Sequence, residues 1–163
     1  MTESRQHRHR SEQTLLEHFT DEVLVVCPAC ERCAIVRMRP LAEPKSTGPF
    51  LADQEATLTC AHCGYSARRA ATVRFLDGPG DVVFDRPVWL QAACAGNTLW
   101  AYSERHLTAI EEYVRAGLRE RRRDEEGGWR NASWTSRLPA WISSAKNRDQ
   151  VLQCIARMRR ERL

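Results

Sequence analysis

The sequence lacks any long hydrophobic run. Its longest apolar stretch, about Val23 to Val26, is far shorter than the roughly 20 residues that a membrane-spanning helix needs. Residues 1–13 are polar and contain no apolar segment like that of a signal peptide, so we interpret them as a disordered tail. These absences predict a protein with no membrane contact that resides in the cytoplasm, where thiols stay reduced.

The sequence also lacks the motifs of common catalytic and nucleotide-binding sites. It contains no H-E-x-x-H helix of a zinc protease, no G-x-x-x-x-G-K-[ST] phosphate loop and no G-x-S-x-G nucleophile turn. A zinc nucleobase deaminase would need H-x-E and P-C-x-x-C, and neither motif is present. We therefore expect a protein that is not an enzyme.

Charge is distributed unevenly along the 163 residues. Residues 1–103 hold 11 Lys+Arg and 12 Asp+Glu, whereas residues 104–163 hold 14 and 9. The basic excess therefore belongs to the C-terminal part. Such an excess is compatible with nucleic-acid binding, but interleaved arginine and glutamate also describe an ordinary solvated helix face.

Seven cysteines are present, and their spacing is uneven. In a reducing compartment, cysteines serve more often as metal ligands or buried small side chains than in disulfides. Five of them fall into two groups and two stand alone: Cys27, Cys30 and Cys33; Cys60 and Cys63; then Cys94 and Cys154.

The two C-x-x-C pairs predict one structural Zn²⁺ site. Each such turn places two sulfurs on the same side of an ion, and two turns complete the tetrahedral thiolate shell that suits Zn²⁺. We therefore predict that the metal ligands are Cys27, Cys30, Cys60 and Cys63. Because a shell of four thiolates has no open position for water or substrate, the ion would stabilise the fold and take no part in catalysis.

Two residues in the turns agree with this prediction, and two others leave the ligand set open. Pro28 fixes φ inside the first turn, and Gly64 follows the last cysteine, where the chain turns back with φ > 0. Cys33 or His62 is an alternative ligand in place of one of the four. A redox role for the first C-x-x-C pair is disfavoured, since that chemistry prefers a cysteine at the start of a helix and a strand-like sequence follows this pair.

Three arginines lie close to the cysteines in sequence. Four thiolates around Zn²⁺ leave a net negative charge, and neighbouring groups commonly offset such a charge. Arg32, Arg68 and Arg69 are candidates for this role. The alternative is that all three are ordinary surface arginines.

Periodicity and turn residues predict an α+β fold, in which a small antiparallel zinc-ribbon β domain is followed by short β strands and C-terminal α-helices. The predicted strands cover residues 22–26, 34–38, 56–59, 72–76 and 99–102, with a loop at 40–54 and a turn at 77–81. The predicted helices cover residues 103–123, 138–142 and 147–162. Grouped into domains, residues 1–13 form the disordered tail, residues 14–102 the zinc ribbon with an extended β region, and residues 103–163 a helical C-terminal region.

The cysteine motifs resemble those of a known class of domain. C-P-x-C at 27–30 and C-x-x-C-G at 60–64 are similar to the zinc ribbons of the transcription-factor-IIB type. Downstream, C-A-G-N-T-L-W-A-Y at 94–102, S-R-L-P-A-W at 136–141 and A-K-N-R at 145–148 resemble a group of largely uncharacterised bacterial zinc-ribbon proteins. The resemblance implies a metal-binding β domain whose exposed face contacts nucleic acid or a protein partner.

Two functions follow as hypotheses. In the first, the chain binds DNA or RNA through Arg130, Arg137, Lys146 and Arg148, beside the aromatic residues Trp129, Trp134 and Trp141. Arginine beside an aromatic ring can hold phosphates while bases stack on the ring, although Trp134 and Trp141 are equally compatible with a core position. In the second, the ribbon is a rigid platform and the C-terminal helices bind a protein partner.

Overall fold

The protein combines a four-stranded sheet, a short hairpin and C-terminal helices. The computed structural model describes residues 19–40, 54–71, 78–81, 83–116 and 134–162, so the predicted tail at 1–13 lies outside them. The strands are β1 (Glu22–Val26), β2 (Cys33–Pro40), β3 (Gln54–Thr59), β4 (Ser66–Ala71), β5 (Leu90–Cys94) and β6 (Asn97–Ala101). The helices are α1 (Glu104–Arg115), α2 (Ala140–Ser143) and α3 (Arg148–Arg162). The predicted α+β class is confirmed.

The four-stranded sheet consists of two antiparallel hairpins, β1–β2 and β3–β4, joined by the pairing of β2 with β3. One row of paired residues crosses all four strands and faces the core: Val23, Val36, Leu58 and Ala67. The first three of these side chains are at most 1% exposed. Successive side chains of a strand point to opposite faces, and the opposite face carries Arg37, which is exposed.

Strand β4 is not predicted by its own sequence, Ser-Ala-Arg-Arg-Ala-Ala, which has no apolar alternation. It is a strand because its backbone pairs with β3 residue by residue, from Thr59↔Ser66 to Gln54↔Ala71. The strand predicted at 72–76 and most of the loop predicted at 40–54 lie outside the described residues.

The outer edge of β1 is covered by a later part of the chain. Leu24 donates its N–H to the carbonyl of Tyr102 (2.7 Å), and Val26 donates to that of Pro87 (2.9 Å). Trp89 donates in turn to the carbonyl of Leu24 (2.8 Å). These bonds attach the segment that contains the β5–β6 hairpin to the sheet.

A buried carboxylate organises the segment before this hairpin. Asp81 is 5% exposed, and its side chain accepts three backbone hydrogen bonds, from Val83 (2.9 Å), Phe84 (2.8 Å) and Arg86 (2.8 Å). Each of these bonds satisfies a backbone N–H that a turn would otherwise leave without a partner.

The β5–β6 hairpin turns on two residues with positive φ, Ala95 (52°) and Gly96 (73°). Positive φ at both central positions is the pattern of a type I′ turn, whose twist matches that of antiparallel strands. The strand predicted at 99–102 is part of β6, which starts two residues earlier and ends one residue earlier.

The helices follow their predicted positions. Ser103 is the N-cap of α1, since its hydroxyl accepts the N–H of His106 (3.3 Å). Helix α1 ends at Arg115, since Ala116 has an extended backbone (ψ 120°), so the helix predicted over 103–123 is too long at this residue; residues 117–123 lie outside the described residues. Each helix in the described part of the chain is too short or too polar to span a bilayer.

An ion-pair cluster joins α1 to α3. The guanidinium of Arg159 bonds Glu104 (2.6 Å), Thr108 (2.9 Å) and Glu111. Glu111 also pairs with Arg115 on its own helix (2.6 Å). Because Arg159 is bound to two carboxylates, its charge is largely neutralised within the protein.

His106 lies inside a cluster of aromatic rings and is 2% exposed. Its ring stacks on Phe19 (4.8 Å between centroids) and Tyr102 (5.4 Å), and its edge contacts are with Trp100 (6.1 Å) and Trp134 (5.8 Å). Its Nδ1 accepts the backbone N–H of Tyr102 (3.2 Å), so the ring is neutral. Burial lowers the pKa of His106 to about 4.

Cys94 and Cys154 form a disulfide, with their Cα atoms 6.1 Å apart. The expectation that the cysteines avoid disulfides is therefore wrong for this pair. The two cysteines are 60 residues apart in sequence, and only the packing of α3 against β5 brings them together. The bond fastens the last helix to the hairpin, where Arg157 also donates to the carbonyl of Ala93 (2.8 Å).

Removing this disulfide should destabilise the protein. A cross-link across 60 residues restricts the unfolded chain, and its loss should lower the free energy of unfolding by about 4 kcal/mol. Chemical denaturation of the Cys94→Ala/Cys154→Ala double variant, with and without a phosphine reductant, measures this. The reductant should bring the wild type down to the variant, and equal stability of both proteins without reductant would contradict the prediction.

The stability of the protein should fall between about pH 6.5 and pH 4 because of His106. Its folded pKa, about 4, lies below the unfolded value of about 6.5, so the unfolded chain binds the proton first. The contribution is present above pH 6.5 and is lost as the pH falls, by on the order of 3 kcal/mol in total. Denaturation of the wild type and of His106→Gln across this range isolates it, since the variant lacks the titrating ring. Parallel pH profiles for the two proteins would refute the assignment.

Candidate metal centre

Two turns of the same geometry carry the four predicted ligands. In each turn, the N–H of the first cysteine donates to the carbonyl five residues later, and its own carbonyl accepts the N–H four residues later. The bonds are Cys27 to Arg32 (2.8 Å) and Glu31 to Cys27 (3.0 Å) in the first turn, and Cys60 to Tyr65 (2.9 Å) and Gly64 to Cys60 (2.9 Å) in the second.

The residue after each second cysteine has a left-handed backbone. Gly64 has φ 75°, as predicted, and Glu31 has φ 60° at the equivalent position. A non-glycine residue adopts this conformation at a cost of roughly 1 kcal/mol. The same turn therefore forms in both hairpins although only one of them has the favoured residue.

The two turns meet because β2 pairs with β3, which places the tips of both hairpins side by side. The thiol sulfurs of Cys27 and Cys63 are 3.7 Å apart, and those of Cys30 and Cys60 are 3.6 Å apart. All four sulfurs lie within 4.8 Å of one another. A tetrahedron with ligands at about 2.3 Å from Zn²⁺ has sulfur–sulfur edges of about 3.8 Å, so these cysteines are positioned to bind a metal ion.

Backbone N–H groups and neighbouring thiols control the protonation of the cluster. The N–H groups of Cys63 and His62 act on Cys60 and, against the effect of burial, lower its thiol pKa to about 7. At Cys30 a backbone hydrogen bond at Arg32 also lowers the pKa, but burial and the three adjacent thiols raise it to about 12. Without a cation, the cluster therefore holds protons that a bound metal ion would displace.

The two alternative ligands lie outside the sulfur cluster. Cys33 is half-buried in β2, and its carbonyl accepts the Cys60 thiol (3.6 Å), while its own thiol contacts the carbonyl of Ala34 (3.9 Å). His62 is exposed, and its Nδ1 accepts a hydrogen bond from Arg32 (3.3 Å). Among the described residues, the group that can hold a metal ion consists of the four predicted cysteines alone.

Of the three arginines expected near the metal, only Arg32 belongs to a cysteine turn. Arg68 lies 4.0 Å from Glu55. Arg69 donates to the carbonyl of Val83 (3.4 Å), and its guanidinium lies 5.2 Å from the ring centre of Phe84. The contacts of Arg68 and Arg69 are thus with other parts of the protein.

The residues predicted to contact nucleic acid are only partly described. Arg130 lies outside the described residues, as does Trp129. Arg137 and Lys146 are exposed, and Arg148 is half-buried. These positions neither establish nor contradict a binding role, which stays a prediction.

The tryptophans near these cations are integrated into the fold. Trp134 is 4% exposed and packs edge-on against Phe19 (5.6 Å) and Tyr113 (6.0 Å). Trp141 is half-buried and packs against the core. The hypothesis that bases stack on Trp134 is therefore wrong, because only 4% of this residue is exposed to solvent.

Loss of one metal ligand should abolish metal binding and unfold the sheet. Cys60→Ser removes a thiolate from the cluster, so we expect less than about 10% of the wild-type metal content and a loss of several kcal/mol of stability. Cys33→Ser is the matched control, because it removes an adjacent thiol outside the cluster and should keep one metal ion per chain. Elemental analysis and circular dichroism measure both effects. Metal loss in Cys33→Ser, or an unchanged melting curve after chelation of the wild type, would refute the assignment.

No protein-family model, no curated protein and no solved structure matches the chain. The resemblance to zinc ribbons of the transcription-factor-IIB type therefore rests on the two cysteine motifs and stays a prediction.

Proposed function

We propose that the chain is a non-catalytic protein in which a structural Zn²⁺ holds the four-stranded sheet and a basic C-terminal region binds nucleic acid. The observation that carries the first part is the convergence of four thiols from two hairpin turns within 4.8 Å. Four thiolates at tetrahedral spacing suit Zn²⁺ better than hard cations, which prefer oxygen ligands. A closed shell of this kind supports folding and offers no site for a substrate.

The charge of the C-terminal region supports the second part. Residues 134–162 contain seven cations and two anions: Arg137, Lys146, Arg148, Arg157, Arg159, Arg160 and Arg162, with Asp149 and Glu161. Of these cations, Arg159 is neutralised by the carboxylates of α1. The remaining excess of positive charge is the kind of surface that phosphate groups bind.

The mode of binding follows from the burial of the tryptophans. Because Trp134 is buried, it gives bases no stacking platform, and the affinity would come from phosphate contacts. Such contacts fix the position of a protein on nucleic acid but do not read its sequence. We infer binding with little sequence preference and a strong dependence on salt. The resemblance to zinc ribbons, many of which contact nucleic acid, agrees with this function.

Binding of labelled single- and double-stranded DNA and RNA, measured by fluorescence anisotropy from about 50 to 200 mM salt, tests the proposal. The affinity should fall steeply with salt, and the logarithmic slope should be about 0.9 for each phosphate contacted on duplex DNA and about 0.7 on single strands. Replacing Arg137, Lys146 and Arg160 together by glutamine should reduce that slope by about 2 to 3.

Arg37→Gln is the matched control, because Arg37 is exposed on the sheet and pairs with Glu22 (3.1 Å). This variant should bind like the wild type. The proposal would fail if no nucleic acid bound at about 50 mM salt, or if the triple variant bound as well as the control.

A further inference from the structure

The two edge strands of the four-stranded sheet, β1 and β4, have the same alternation of hydrogen bonds. Within the described residues, only β1 is bonded to another part of the chain on its outer side. In each hairpin the first cysteine is hydrogen-bonded across the turn, Cys27 to Arg32 and Cys60 to Tyr65. From there, opposite residues of an antiparallel ladder alternate between pairs that are hydrogen-bonded to each other and pairs that are not. In β1 this alternation directs the backbone groups of Leu24 and Val26 outward, and both are bonded to residues 87–102. The alternation therefore predicts correctly which groups of an edge strand face away from the sheet.

The same alternation identifies the outward groups of β4. Cys60 donates to Tyr65 across the second turn (2.9 Å), so Ala67, Arg69 and Ala71 bond β3. The N–H and C=O groups of Ser66, Arg68 and Ala70 then point away from the sheet. No backbone group within the described ranges pairs with them, whereas the matching groups of β1 have such partners.

The side chains of β4 leave this edge open to another strand. Ser66 and Ala70 are small and exposed, and β4 contains no proline and no bulge. Proteins usually protect an edge strand by one of these devices or by charge. Here the charge comes from two adjacent arginines, which project to opposite faces of the sheet.

These arginines decide which kind of strand fits. If two copies paired antiparallel through the outward groups of β4, with Ser66 of one copy opposite Ala70 of the other, the two Arg68 side chains would lie directly opposite each other. A shift of two residues, which places Arg68 of one copy opposite Ala70 of the other, would bring the two Arg69 side chains opposite each other instead. Like charges in directly opposite positions destabilise a sheet, so a second copy of this chain is a poor occupant. A strand with acidic residues at those positions is a good one.

We propose that the outer edge of β4 binds an extended acidic segment of a protein partner, which adds a fifth strand to the sheet. The backbone groups of Ser66, Arg68 and Ala70 supply main-chain hydrogen bonds, as in other cases of strand addition. Two consecutive acidic residues of the partner lie opposite Arg68 and Arg69. The small side chains of Ser66 and Ala70 leave room for larger residues of the partner on either side. This surface is separate from the basic C-terminal region proposed to bind nucleic acid.

The free protein gives the first test, by amide hydrogen exchange. We expect the amides of Arg68 and Ala70 to exchange at least tenfold faster than those of Ala67 and Arg69, which bond β3. Equal protection of the two sets would show that another part of the chain already covers this edge, and would overturn the proposal.

Titration of the zinc-loaded, ¹⁵N-labelled full chain gives the second test. The probe is a ten-residue peptide of valine and threonine with two consecutive glutamates at its centre, and the control peptide has lysines in their place. The glutamate peptide should shift the amide resonances of residues 65–71 and bind at least tenfold more tightly than the lysine peptide. Shifts confined to other residues, equal binding of both peptides, or no binding of either at millimolar concentration would overturn the proposal.

Three variants separate the backbone contribution from the charge contribution. Ala70→Pro removes an outward N–H without removing a bond to β3, and should abolish peptide binding. Arg68→Glu should weaken it by about tenfold. Arg37→Glu is the control, because Arg37 lies in the same row of the same face, with Thr57 between it and Arg68, and binding should change less than twofold. If Ala70→Pro does not fold, as judged by zinc content, the two arginine variants decide. A single-stranded oligonucleotide that displaced the peptide and shifted the same residues would assign the edge to nucleic acid instead.

Discussion

The convergence of four cysteine sulfurs is the interaction on which the N-terminal half depends. The two hairpins pair with each other only through β2 and β3, and their turns are held at one end by the cysteines. The sulfur–sulfur distances of 3.6 and 3.7 Å leave space for an ion at the centre and no space for another side chain. With no cation present, burial and the neighbouring thiols raise the pKa of Cys30 against a backbone hydrogen bond at Arg32, whereas the backbone N–H groups of Cys63 and His62 lower that of Cys60. A bound metal ion would displace the remaining protons and make four favourable contacts that hold the two turns together.

The rest of the fold is attached to one edge of this sheet, strand β1. Backbone bonds from Leu24 and Val26 attach the segment that contains Pro87, Trp89 and Tyr102, and this segment supplies the hairpin on which α3 packs. The buried side chains accordingly form one cluster that extends from Phe19 to Met158. Because β1 is used in this way, the opposite edge, β4, is the side of the sheet left for a partner. The sheet thus has one structural edge and one edge suited to recognition, and the metal site lies between the two hairpins that carry them.

How far the sequence predicts this structure depends on whether the signal is local. The signal for the cysteine turns is local, since two C-x-x-C spacings and Gly64 predict the turns and four ligands, although the sequence alone leaves Cys33 and His62 as alternative ligands. The signal for helix α1 is also local, because Ser103 predicts its N-terminus and its apolar residues recur on one face. Strand β4 has no local signal, because Ser-Ala-Arg-Arg-Ala-Ala becomes a strand only by pairing with β3. The Cys94–Cys154 bond is not predictable for a similar reason, as it depends on how α3 packs against β5 across 60 residues. Trp134 illustrates the opposite error: a tryptophan near cations suggests a binding surface, but only the three-dimensional structure shows that its ring packs against Phe19 and Tyr113.

The chain uses its cysteines in two different chemical states, and the fold explains how both persist. Four thiols lie at the tips of the ribbon, where Cys63 is exposed and Cys30 is half-buried, so oxidation would be a hazard if they were free. Coordination of Zn²⁺ would remove that hazard, because a thiolate bound to Zn²⁺ is a weaker nucleophile than a free one. Cys94 and Cys154 are 3% and 7% exposed, and packing between the hairpin and α3 places their sulfurs together without a metal ion. Each half of the molecule therefore has its own means of cross-linking, a cysteine cluster positioned to bind a metal ion in the sheet and a covalent bond between the hairpin and α3. Because the two cross-links respond to different agents, a chelator and a reductant should act on different halves of the same core.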